Sequence, residues 1–286
     1  MYKVTSEIYE ETNYNPVKAD NGRVLSKFQF KYPPEDDDTT AYNGVISDED
    51  GDLVVRRKSV SGPGGLIKIE HSEATELRLV GLQVWRGALL LADYIFHKRN
   101  EFRDKVVLEL GAGVGLTSIA AAIYAKKVVC TDVNVGGILD LIRENIKHNL
   151  VLLHKPNNID VLEFDFLKPV QEYYPALLEA IDICDVVVAA DVIYDDDLTN
   201  AFIRVLDVLF ERGKLSGKDK TAYIALEKRY VFTLSEMDTV APMFEYFLKQ
   251  TLNKPWLFEY IETDFPQYFD YDRRRHLVLI KVVHIK

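Results

Sequence analysis

Hydrophobic and polar positions change rhythm near residue 82. Before it, short alternations such as VLSKFQFKY (24–32) and LIKIEH (66–71) place apolar residues at every second position, the period of a half-buried strand. They are separated by PPEDDDTT (33–40), SDEDGD (47–52) and SGPGG (61–65), acidic or small-residue runs that read as solvated loops. The Asp-Gly of DGDLVVRR is a turn signal leading into another strand-like run. Residues 1–80 therefore read as a β-rich N-terminal extension with acidic loops.

From there, strand-like and helix-like segments alternate. QVWRGALLLADYIFHKR (83–99) has helical spacing, KVVLEL (105–110) reads as a strand, LTSIAAAIYA (116–125) as a helix and KVVCTDV (127–133) as a strand. VGGILDLIRENIKHN (135–149) is a helix with a polar face, and IDVLEFDF (159–166) a strand. QEYYPALLEAI (171–181) is a weaker helix interrupted at Pro175, and DVVVAADVIY (185–194) is a buried strand with its exit loop. LTNAFIRVLDVLFERG (198–213) is expected to be a helix closed by Gly213. TAYIALE (221–227) is a strand, and SEMDTVAPMFEYFLKQ (235–250) a helix kinked at Pro242. WLFEYIETD (256–264) and HLVLIKVVHI (276–285) suit an antiparallel pair. This alternation predicts an α/β domain over 81–286, a mainly parallel sheet with helices on both faces. Ligands of such sheets bind at the carboxyl ends of the strands, near the point where the strand order reverses.

One such end carries LELGAGVGL (108–116). Gly111 and Gly113 have no Cβ, so the chain can turn tightly and a ligand can approach the backbone closely. The dinucleotide fingerprint needs a small residue where Leu116 stands, which counts against an NAD-dependent dehydrogenase. A GxGxG turn preceded by an acid, Glu109, better suits a ligand without phosphates. Asp132 ends the next strand, where a carboxylate can accept from both hydroxyls of a ribose. Asp165, at the end of the third strand, is placed to accept from an adenine amine, with Phe166 to pack on the ring; the plain reading is a surface acid beside a core aromatic.

The 286 residues are 48% hydrophobic and 28% charged, as in a soluble globular protein with a substantial core. No run approaches the roughly 18–20 apolar residues of a membrane span, and the start has no basic, then apolar, signal pattern. Cys130 and Cys184 sit in or beside apolar strands and read as buried thiols, pointing to the cytosol or nucleus rather than secretion. The six histidines show no ligand spacing, so no metal is expected. A net charge of −10 disfavours nucleic acid and attracts basic proteins.

LELGAGVGL, the acid of CTDV and the tail of VVVAADVIY together resemble the seven-strand class I methyltransferases. VWRGALLLADYI followed by LELGAG, TDV, FDF and ADVIY is similar, more narrowly, to the lysine methyltransferase family often called family sixteen; the likeness covers roughly 50–270. The resemblance implies a Rossmann-like seven-stranded sheet with an antiparallel C-terminal strand, and S-adenosyl-L-methionine as cofactor. It implies that Trp85 packs against that cofactor, although Trp85 alone reads equally as helix core. Gly111, Ala112 and Gly113 would contact its methionine part, Asp132 the ribose, and Asp165, Phe166 and Ala190 the adenine. The family usually has tryptophan where Phe166 stands, and adenine is expected to stack on this smaller ring. The resemblance further implies a monomeric protein-lysine N-methyltransferase of the nucleus or cytoplasm acting on a basic protein. It points to a nuclear DNA- and RNA-binding substrate of the Kin type, with chaperones as further partners.

Asp191 and Tyr194, in DVIY, leave the fourth strand beside the expected methyl group. A carboxylate there can orient an incoming ammonium, and an aromatic ring can wall it by cation–π contact. Asp191 could instead cap the following helix, and Asp195, Asp196 and Asp197 read as acids of that helix's first turn. Two other readings stay open on the same fold: a nucleic acid or small-molecule methyltransferase, and a non-catalytic binding scaffold.

Overall fold

The computed structural model describes residues 3–11, 14–19, 22–34, 46–47, 53–54, 62–233 and 238–285. The acidic runs 35–40 and 48–52 lie outside them.

Strands β1 (Val24–Lys31) and β2 (Gly64–His71) pair antiparallel, Val24 opposite His71 and Lys31 opposite Gly64. With Val17–Lys18 they form a three-stranded sheet. The main sheet has seven strands: β3 (Val106–Leu110), β4 (Lys127–Asp132), β5 (Ile159–Glu163), β6 (Val186–Ala190), β7 (Thr221–Glu227), β8 (Trp256–Ile261) and β9 (Leu277–His284). Their order is β8-β9-β7-β6-β3-β4-β5, and β9 alone runs against the direction of the other six, pairing antiparallel with β7 and β8. The chain starts in the middle at β3, steps outward through β4 to β5, then returns to lay β6 against the other side of β3. That reversal opens a crevice above the carboxyl ends of β3 and β6.

Alternation along the strands divides the interior in two. Val107, Val128, Val188 and Ala225 point to one face, against α1 (Arg86–His97), α2 (Leu116–Ala122) and α3 (Ile138–His148). Leu108, Val129, Val187 and Ile224 point to the other, against α4 (Pro175–Ile183), α5 (Asp196–Ser216) and α6 (Pro242–Thr251). The window from Leu77 to His97 has the length and hydropathy of a membrane span, contrary to expectation, but 78% of it is buried inside the fold. Its apolarity fills the core on the face of the sheet covered by α1, α2 and α3.

The small sheet is stitched to this body. Asn145 and Asn149, one turn apart on and just after α3, treat β2 as a strand would. Asn145 accepts from the Glu70 N–H (2.7 Å) and donates to the Glu70 carbonyl (2.9 Å), and Asn149 does the same with Lys68 (2.9 and 2.7 Å). On the other side the Lys31 N–H donates to the Tyr268 carbonyl (3.0 Å).

Several sequence expectations need correction. Pro175 and Pro242 do not interrupt helices but begin α4 and α6, where a missing N–H costs nothing. Residues 238–240, assigned to that last helix, instead pair with Val231–Thr233 as a short hairpin. Gly213 does not end its helix: α5 runs on to Ser216 and closes at Gly217, whose φ is +69°. Strand β5 ends at Glu163, so Asp165 lies in the loop beyond it.

Candidate active site

A cavity of about 710 Å³ occupies the crevice, and all eleven residues singled out from the sequence line it. They are Trp85, Glu109, Gly111, Ala112, Gly113, Asp132, Asp165, Phe166, Ala190, Asp191 and Tyr194.

The floor is the turn between β3 and α2. Gly111 and Gly113 have φ of +67° and +56°, a region that L side chains avoid. A Cβ on Gly113 would lie 3.0 Å from the Gly81 carbonyl, and one on Gly111 2.8 Å from Val192. Asp132, at the end of β4, fixes this turn: its carboxylate accepts from the Gly113 N–H and the Val133 N–H, both at 2.7 Å. Burial pushes its pKa up to about 6. Glu109 lies beneath, 1% exposed, accepts from the Ser118 hydroxyl of α2, and is pushed by burial to about 7.

One wall is Asp165, Phe166 and Leu167 after β5. Asp165 turns its own loop, accepting from the Leu167 N–H (2.9 Å). Phe166 meets Phe164 edge-on at 5.3 Å. Ala190 and Val192 face it from the end of β6. The roof is residues 77–85, where the Trp85 indole N–H donates to the Val80 carbonyl (3.0 Å) and the Arg229 guanidinium lies 4.7 Å from the ring.

Asp191 does not cap the helix that follows it. Asp195 does that, accepting from the Leu198 N–H (3.0 Å), with Asp196 and Asp197 in the first turn. Asp191 reaches instead to α1, accepting from the Gly87 N–H (2.7 Å), and to β7, accepting from the Glu227 N–H (2.9 Å). It holds this position in left-handed backbone, φ +53°. Burial raises its pKa to about 6. Each carboxylate oxygen keeps a second lone pair. Tyr194, 38% exposed, stands at the mouth.

Sequence reasoning missed two parts of this site. The roof residues Leu77–Leu82 were passed over, although LRLVGL carries apolar residues at helical spacing. Gly87 was also missed. A Cβ there would sit 2.5 Å from Asp191 Oδ2, and a glycine inside an otherwise strong helix is the signal for such a close approach.

The strand order, with its antiparallel β9, and a glycine turn answered by an acid at the end of β4 define the class I methyltransferase fold. A family model described as lysine methyltransferase matches residues 66–240, and the chain belongs to that family. It is 40% identical over 257 residues to methyltransferase-like protein 22 of Mus musculus, covering 84% of this chain and 64% of that protein. Against the Homo sapiens protein of the same name the figures are 37% over 257 residues, 84% and 62%. Protein-lysine N-methyltransferase EEF2KMT of Mus musculus is 28% identical over 212 residues, covering 71% and 58%. The chain thus spans less than two thirds of the length of these relatives.

S-adenosylmethionine is the cofactor of this class, and the residues present fit it. The cavity is of small-molecule size, the glycine turn leaves backbone room for the methionine end, and Asp132 offers a buried acceptor for ribose hydroxyls. Phe166 and Ala190 add apolar lining that a purine ring can pack on.

Proposed function

We propose that this chain transfers the methyl group of S-adenosylmethionine to the side-chain amine of a lysine in a basic protein. The observation that carries the reading is that Asp191, bonded to the Gly87 and Glu227 N–H groups, lines the same cavity as Tyr194, Phe166 and Ala190. When bound, the cofactor supplies an electrophilic methyl group on a sulfonium. The chain's own residues have then to bring in one amine, align it and keep water out, a matter of proximity and orientation.

Asp191 supplies the negative end of that alignment. With a pKa near 6 it is ionised at neutral pH, and its remaining lone pairs can hold the incoming nitrogen. The aromatic face of Tyr194 can wall the same cation. A lysine titrates near 10.4 when unperturbed, so it must shed a proton to water before it can attack. Desolvation at the cavity mouth, beside a cationic sulfonium, lowers that value and favours the neutral amine.

Asp195 and Asp197 line the same cavity, Asp196 stands between them in the first turn of α5, and the whole chain carries −10. This field supports a cationic protein segment as acceptor and opposes a nucleic acid. A nuclear DNA- and RNA-binding protein of the Kin type is the first substrate to try. The test is tritium transfer from labelled donor into a nuclear extract, with the labelled protein identified and its target lysine replaced by arginine. Loss of label is expected. Label that survives the replacement, or disappears on nuclease treatment, refutes the lysine assignment.

A further inference from the structure

The roof of the cavity has little structure of its own. Leu77–Leu82 is a 3-10 turn broken at Leu79 (φ −117°, ψ 18°), and short 3-10 segments have poor hydrogen-bond geometry. Its shape comes from residues 3–11, none of which lines the cavity. Val4 and Thr75 exchange two backbone bonds, at 2.8 and 3.0 Å. Gln83, 1% exposed, is answered largely by this segment: Oε1 accepts from the Ser6 N–H (2.9 Å), and Nε2 donates to the Val4 carbonyl (2.9 Å) and to Thr75 Oγ1 (2.7 Å). The Tyr9 hydroxyl accepts from the Val84 N–H (2.8 Å), while its ring stacks on His71 at 4.9 Å.

Two residues further on, at Arg86, the anchoring becomes ionic. The Arg86 side chain, 1% exposed, lies against Glu7 (3.1 Å), Glu11 (3.0 Å) and Glu227 (3.3 Å). Two of these three carboxylates belong to the same segment. Lifting it away would leave a buried amide without most of its partners and a buried guanidinium with one carboxylate, both costly states. Arg86 and Gly87 open α1, and Gly87 is the residue that Asp191 holds.

We propose that residues 4–11 are a strap that positions the cofactor roof, with Tyr9 and Glu11 as positioning residues that act through Val84 and Arg86. Cofactor affinity then depends on a segment that never touches the cofactor. This rests on the cofactor reading above. Docking of the strap and closing of the roof are one equilibrium, so a ligand that favours the closed roof must also favour the docked strap.

The experiment uses the whole chain and S-adenosylhomocysteine as probe. In amide exchange followed by mass spectrometry, the probe is expected to slow exchange in 4–11 as well as in 77–85. Tyr9→Phe keeps the stack on His71 but loses the acceptor of the Val84 N–H, and with it only a long 3.4 Å bond to the Ser72 carbonyl. It is expected to weaken probe binding by calorimetry about 3- to 10-fold, the worth of one hydrogen bond. The KM for the donor should rise in the same ratio, with kcat at saturating donor unchanged. Glu11→Gln should move affinity in the same direction, and melting curves identify a variant that has simply unfolded. Protection confined to 77–85 overturns the proposal, as does parental affinity in both variants. A folded parent that does not bind the probe at all overturns the cofactor reading and the strap with it.

Discussion

Asp132 is where the cofactor reading can be tested most sharply, because its carboxylate has two duties. Facing the chain, it accepts from Gly113 and Val133 at 2.7 Å each; facing the cavity, it has lone pairs left for ribose hydroxyls. In Asp132→Asn one oxygen becomes an amide NH₂, and whichever way the amide turns, a donor faces a backbone donor. The loss therefore includes the charge-assisted ribose contact, about 1.5–3 kcal/mol, which is roughly 10- to 150-fold in Kd. Calorimetry with S-adenosylhomocysteine from pH 5 to 8 measures it. The sign with pH follows from burial, which raises the Asp132 pKa from 3.8 to about 6. The ionised form accepts the hydroxyls, so affinity is full above about 6 and falls as the carboxylate protonates below it. Asp132→Asn should be weak throughout and lose that acid limb. Parental affinity in the variant, an unchanged acid limb, or NAD binding in place of the probe refutes the reasoning.

Three further outcomes are expected. Asp191→Asn tolerates the left-handed backbone but sets a donor against the Gly87 or Glu227 N–H. It should lower stability by about 1–3 kcal/mol in denaturant titration, abolish most methyl transfer and leave the probe Kd within a few-fold. Arg273→Met strands Asp93, a carboxylate 0% exposed whose pKa burial already raises to about 6 despite that guanidinium. A loss of about 3–5 kcal/mol is expected. Because a raised acid pKa stabilises the fold at low pH and loses that effect as pH rises, the deficit should be larger at pH 8 than at pH 5 in chemical denaturation. Methyl transfer to a basic protein should rise from about pH 7 to 9 as the acceptor lysine approaches neutrality and slow with added salt at low substrate; a salt-insensitive rate would remove the steering argument.

The parts of the site that could be read directly from residues share one property: each is local. Gly111 and Gly113 advertise a turn through their lack of Cβ, and Asp132 announces itself by ending an apolar run. The misreadings share the opposite property. Pro175 and Pro242 look like interruptions unless the preceding residues are known to be non-helical, and Gly213 and Gly217 both offer a stop that only packing decides. Asn145 and Asn149 gave no sign that they would complete the edge of β2, because that bond joins segments 75 to 81 residues apart. The roof escaped notice for the same reason: its form is set by Val4, Ser6 and Tyr9, seventy or more positions upstream.

Asp191 brings the two kinds of information together. As a sequence feature it is an acid leaving a strand, and its chemistry is legible there. In the structure it is also a non-glycine residue at φ +53°, and such a conformation persists only where the surroundings over-determine it. Those surroundings are the Gly87 and Glu227 N–H groups, which tie α1 and the end of β7 to one carboxylate. The tie explains why position 87 is glycine, since any Cβ would drive the carboxylate away. It also links two segments that line the cavity, the start of α1 next to Trp85 and the exit of β6 that carries Tyr194. On the proposed reading, the strain at Asp191 keeps an anion at a fixed point beside the transferred methyl. An amine entering there meets a preorganised carboxylate rather than one that must first be recruited from solvent.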